Sequence, residues 1–160
     1  METEHKQINI QYGEMAAEVD EGIAPLILEM WKADIMTFMS CENNGDEYNN
    51  LGDVMWVLID EFDVSPFLNC IFGKRERDGL YYRAKMETES EDDWMYDIMI
   101  DDLSLVIRDD EVDYDGPPDM GFRVSIRFPV SDYPEVLRRM SEFNAGAGSR
   151  ENLCTTVEEA

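Results

Sequence analysis

The run VMWVLI, Val54 to Ile59, is apolar on whichever side of an extended chain its residues fall. A strand with this pattern belongs inside a sheet and is covered on both faces. The neighbouring sequence supplies the partners. Residues 20–72 read as helix, strand, polar loop, strand and helix, from DEGIAPLILEMWKADIMTFMSCE through the loop ENNGDEYNNLGD to VMWVLIDEFDVSPFLNCIF. In the first helix Ile23, Ile27, Met30 and Trp31 share one face, and Pro25 falls in the first turn, where a missing amide costs little.

Outside that stretch KQINIQY alternates Ile8, Ile10 and Tyr12 with polar residues, and after a turn at Gly13 EMAAEV returns as a second short strand. GFRVSIRF places Phe122, Val124, Ile126 and Phe128 on one face, and Arg123, Ser125 and Arg127 on the other. A near-repeat offset by 69 positions lays VLIDEFDVSPFLNCI over IRFPVSDYPEVLRRM, matching Asp63 with Asp132 as caps of proline-bearing helices. GLYYRAKM, WMYDIMI and LSLVI read as strands, with Trp94, Tyr96, Ile98 and Ile100 on one face. The expected fold is a single α+β domain over residues 1–144. It has a mostly antiparallel sheet of five to seven strands, three helices, and a flexible tail over 145–160.

At 160 residues and 44% hydrophobic composition the chain is long and apolar enough to bury a core, so its acidity is not a signature of disorder. No apolar run spans a bilayer and METEHKQ lacks the features of a secretory signal, so a cytoplasmic protein is expected. Cys41, Cys70 and Cys154 fit neither a disulfide framework nor a paired-cysteine metal clip.

The charge is the second constraint. Thirteen basic residues against 37 acidic ones give −24, a field that repels nucleic acid and anionic lipid and favours basic proteins as partners. Salt adaptation also enriches acids, but eleven methionines and three cysteines sit poorly with it. Residues 87–120 hold fourteen acids against Arg108 alone, a local −13. Self-repulsion makes such clustering unfavourable, so a compact domain that keeps it can use it against a cationic partner. The partner-facing candidates are Glu91, Asp92, Asp93, Asp101 and Asp102, with Asp109, Asp110, Glu111, Asp113 and Asp115 the densest group. Part of the acid is expected to be internal, with Asp97 and Asp101 facing Arg123 and Arg127 across strands.

Two stretches resemble catalytic or metal sites but lack the chemistry such sites require. DDEVDYDGPPD imitates a calcium loop through Glu111, Asp113, Asp115 and Gly116, but the closing bidentate glutamate is missing and Pro117-Pro118 interrupts the loop. Cys41 in SCE has a carboxylate beside it where a nucleophile needs a base, and the single histidine, His5, lies far off in sequence. No catalytic residue, cofactor site or metal site is therefore expected. Thr37, Ser40, Cys41 and Glu42 remain as an alternative ligand site of a small enzyme or binding protein.

GIAPLILEMWKADIMTFMSCEN, VMWVLI and FRVSIRFPVSDYPEVLRRM together resemble a group of small bacterial and phage proteins of unknown function. The shared pattern is a helix, T-x-x-S-C-[EQ], an aromatic strand and a closing RFP-x-x-D-x-P helix. The resemblance covers residues 18–144 and departs at Ala33-Asp34, where a glycine is usual. It implies the α+β fold and a phage or mobile-element source, and carries no activity. The function expected is that of a non-enzymatic acidic inhibitor, blocking a basic nucleic-acid-binding surface of a host defence protein as anti-restriction and anti-CRISPR mimics do.

Overall fold

The computed structural model describes residues 5–42 and 53–146. In chain order the elements are β1 (Gln7–Tyr12), β2 (Met15–Asp20), α1 (Ala24–Lys32), β3 (Thr37–Cys41), β4 (Val54–Asp60), α2 (Val64–Phe72), α3 (Gly79–Ala84), β5 (Met95–Asp102), β6 (Leu105–Arg108), β7 (Glu111–Tyr114), β8 (Met120–Pro129) and α4 (Tyr133–Ala145). The fold is α+β in a single domain, and the strand pairs are antiparallel. The strands are divided among three sheets: β3-β4-β8-β5, and the two hairpins β1-β2 and β6-β7. Of the expected tail, residues 147–160 lie outside the described residues, as do Cys154 and positions 43–52 of the polar loop.

β4 lies inside the large sheet, paired with β3 and β8. Met55, Val57 and Ile59 join Ile27, Met30, Trp31, Phe67, Ile71 and Met140 in the core. On the opposite face Val54 and Leu58 are also buried. There the register sets Ser125 against Leu58, with Arg123 and Arg127 two residues to either side. The Arg123 guanidinium lies 3.6 Å over the Phe38 ring and that of Arg127 5.5 Å over Trp56, so the charged heads themselves stack on the aromatic rings of this face. Those heads meet Asp101 at 2.7 Å and Asp97 at 3.3 Å, the cross-strand pairs expected from the alternation.

The 69-residue near-repeat has a structural counterpart. The 3-10 turns at 61–63 and 130–132, and the helix starts at Val64 and Tyr133, share that offset. Val57 pairs with its own equivalent, Ile126, so the two strand-turn-helix units meet about a local twofold at that pair. The capping expectation fails. Asp63 and Asp132 make no side-chain cap bond, because a 3-10 turn runs straight into each helix and leaves both in helical rather than extended backbone.

GLYYRA is a helix, not a strand. Asp78 caps it, accepting a 3.0 Å bond from the Tyr81 amide, and Leu80 and Ala84, one turn apart, are buried. Tyr81 packs edge-on against Phe72 with centroids 5.5 Å apart, so tertiary packing overrides the strand preference of the two tyrosines. Along β5 the shared face divides. Trp94 is buried and stacked 4.7 Å from Phe128, whereas Ile98 is 73% and Ile100 64% exposed where the β5-β8 ladder runs past the core.

Candidate functional site

The acidic residues fall in two places. Glu91 and Asp92 are exposed in the turn before β5, and Asp93 closes that turn by accepting the Thr88 amide at 3.2 Å and the Glu89 amide at 3.0 Å. The other group lies on an arm made from the free end of the β5-β8 ladder and the β6-β7 hairpin. At its base the Leu103 amide donates to Asp119 O and the Asp115 amide to Ser104 O, both at 2.7 Å. Asp102 knits this junction. The Ser104 hydroxyl, then the Asp119 and Ser104 amides, hold its carboxyl below the ordinary range by hydrogen bonding.

Beyond that base Asp109, Asp110, Glu111 and Asp113 are exposed, as is Asp115 at the base. Asp113 lies 3.8 Å from Arg108, and among the described residues no ion pair reaches the other four. Asp109 and Asp110 form the two-residue tip with φ of 51° and 63°. Two left-handed residues in a row define the turn that favours Asn-Gly, and the second aspartate is strained there relative to glycine. Val112, Tyr114, Leu105, Met120 and Phe122 are exposed around these carboxylates. The calcium-loop likeness is lost in the fold, because Glu111 and Asp113 lie within a strand rather than curling round a centre.

The SCE corner is organised differently from its sequence reading. Thr37 accepts the Trp31 indole N–H at 3.0 Å and ties α1 to β3. Glu42 turns away to cover Gly22, where an added Cβ would fall 1.4 Å from its Oε2. Ser40 and Thr37 line a cleft of about 250 Å³ between β2 and β3, together with Gln7 and Asp20. Cys41 is the residue the fold recruits. His5 Nδ1 lies 3.8 Å from its Sγ and 3.1 Å from Asp20 Oδ2, so the imidazole that seemed remote in sequence adjoins the thiol. Asp20 is only 5% exposed, and the donor atoms of all three residues lie within 4.8 Å of one another.

Asp20 is held in place by outer partners. The Glu42 amide donates to Oδ2 at 3.0 Å and Gln7 Nε2 to Oδ1 at 3.3 Å. Burial pushes its carboxyl upward, but hydrogen bonds from His5, the Glu42 amide, Cys41 and Gln7 outweigh this and hold it below the ordinary range. A nucleophile-base relay uses opposite nitrogens of the imidazole for the nucleophile and the orienting acid. Here Cys41 and Asp20 both approach Nδ1, so the arrangement is convergent. Sequence reasoning missed His5 and Asp20 together. The only available signal was the β1-β2 register, which pairs Gln7 with Asp20 and so sets His5 on the same face.

No protein-family model matches the chain, and no solved structure matches it. The chain is 26% identical over 128 residues to an uncharacterised protein of Acanthamoeba polyphaga mimivirus, an alignment covering 78% of this chain and 62% of that protein. It therefore spans less than two-thirds of the length of that relative. Among the described residues no helix is long and apolar enough to cross a membrane.

Proposed function

We propose that this protein is a non-enzymatic acidic inhibitor, of phage or mobile-element type, that occupies the basic nucleic-acid-binding surface of a host defence protein or complex. The observation that carries the reading is the tip of the β6-β7 hairpin, where Asp109 and Asp110 hold left-handed backbone and, among the described residues, make no ion pair. A turn optimised for stability would carry Asn-Gly. Two aspartates keep two carboxylates at the farthest point of an exposed arm, where phosphates would sit in the ligand displaced. The apolar residues interleaved with them, Val112 and Tyr114 above all, supply the contact area that charge alone lacks. A match to a viral protein fits a gene carried by a cellular parasite.

The test changes Asp109, Asp110 and Asp113 to Asn or Ser, Asp115 to Asn and Glu111 to Gln in one variant. A basic partner captured from host lysate is then competed with DNA or RNA over a salt series. The reading expects the wild-type protein to compete, its binding to weaken steeply with salt, and the variant to lose mainly association rate. Undiminished competition by the folded variant overturns it.

A further inference from the structure

We propose that His5, Asp20 and Cys41 form a binding site for a borderline-soft divalent ion of the zinc type. The inference is independent of the acidic arm. Around a tetrahedral zinc ion, bond lengths of about 2.0 to 2.3 Å separate neighbouring donor atoms by roughly 3.3–3.6 Å. The His5–Asp20 and His5–Cys41 separations of 3.1 and 3.8 Å bracket that range, and all three donor atoms lie within 4.8 Å of one another, so a local rearrangement would bring them round one ion. The donor set is selective: thiolate and imidazole favour zinc, cobalt and their neighbours over calcium and magnesium, which take oxygen ligands.

Three features distinguish this corner from a chance meeting of polar side chains. The donors come from three separate parts of the chain: His5 two residues before β1, Asp20 at the end of β2 and Cys41 at the end of β3. The Asp20 carboxylate is aimed by the Glu42 amide and Gln7, the kind of outer support that metal ligands require. The two groups that meet His5 do so at one nitrogen, which suits a shared ion and not a proton relay. Binding sends the Cys41 thiol proton to solvent and leaves the imidazole proton on Nε2. Three protein donors leave a tetrahedral ion one position for water or an exogenous ligand, and Asp20 also lines the neighbouring cleft between β2 and β3.

The full chain, reduced and freed of metal, is titrated with Co²⁺ and with Zn²⁺. The expected result is one equivalent of cobalt giving a thiolate-to-metal charge-transfer band, and a Tm that rises with zinc. Cys41→Ser abolishes the band, whereas a Cys70→Ser, Cys154→Ser double variant retains it. His5→Gln weakens zinc binding by roughly 100-fold or more, beyond the effect of losing an outer-sphere partner. Absence of the band in folded wild-type protein overturns the proposal, as does a band that survives Cys41→Ser or disappears in the double variant. If Cys41→Ser fails to fold, His5→Gln and the double variant decide alone, and an unchanged zinc affinity in His5→Gln is then the refuting result.

Discussion

Asp132 sits where a helix cap is expected, yet its carboxylate works inside the fold. Oδ1 accepts Arg83 Nη2 at 2.7 Å, while Oδ2 accepts Arg83 Nε at 3.2 Å and the Trp94 indole N–H at 3.1 Å. It thereby joins α3, the start of β5 and the turn before α4. Asp132→Ala leaves a largely buried guanidinium and indole unpaired, and is expected to cost about 3 kcal/mol in denaturant unfolding. A loss below about 1 kcal/mol would mean that water replaces the carboxylate. The tryptophans are ranked by the same logic. Trp31 and Trp94 are buried and Trp56 is half-buried beneath Arg127, so Trp94→Ala should fall in the range of about 3–5 kcal/mol and Trp56→Ala below it. Sequence periodicity found Trp31, but could not show that Trp94 outranks Trp56, because that depends on Phe128 stacking across the sheet.

At the level of elements, α1 ends in a left-handed residue. Asp34 has φ of 65°, its amide bonds to Trp31 O, and the Ile35 amide returns to Met30 O at 2.9 Å, closing a Schellman motif with Ile35 buried. Glycine suits this position better than an L residue, and Asp34→Gly should stabilise the chain by about 1 kcal/mol in thermal or denaturant melts. The same reasoning applied to the hairpin tip gives a sharper outcome. Asp110→Gly relieves the strained turn and should raise stability by a similar amount, while weakening the salt-sensitive binding proposed above by removing one tip carboxylate. Stabilisation with unchanged binding would separate the turn from the partner surface. The helices α1, α2 and α4 and the strand β4 were legible because apolar period and Pro or Gly punctuation agree there. α3 was not, because two β-favouring tyrosines are held in a helix by Asp78 and by packing on Phe72.

For the whole molecule, a formal charge of −24 makes self-repulsion a general term, so the Tm should rise with moderate salt even as the proposed partner binding weakens. Acid acts through particular pairs. Hydrogen bonds from Arg138 and Arg139 hold the Glu135 carboxyl at about 2, down from an ordinary 4.5. Its contribution to stability is therefore complete above 4.5 and is lost as pH falls toward 2, a window that Glu135→Gln should flatten in a pH series of melts. The α+β class, the internal β4, the paired Asp97 and Asp101 and the acid-dense middle were all readable from residue order, since period, turn residues and charge are local properties. The convergence of His5, Asp20 and Cys41, the assignment of Asp132 to a buried network, and the arm that exposes Asp109 and Asp110 were decided only by tertiary structure. Each depends on strands and turns distant in sequence being set side by side, and no local pattern encodes which ends will meet.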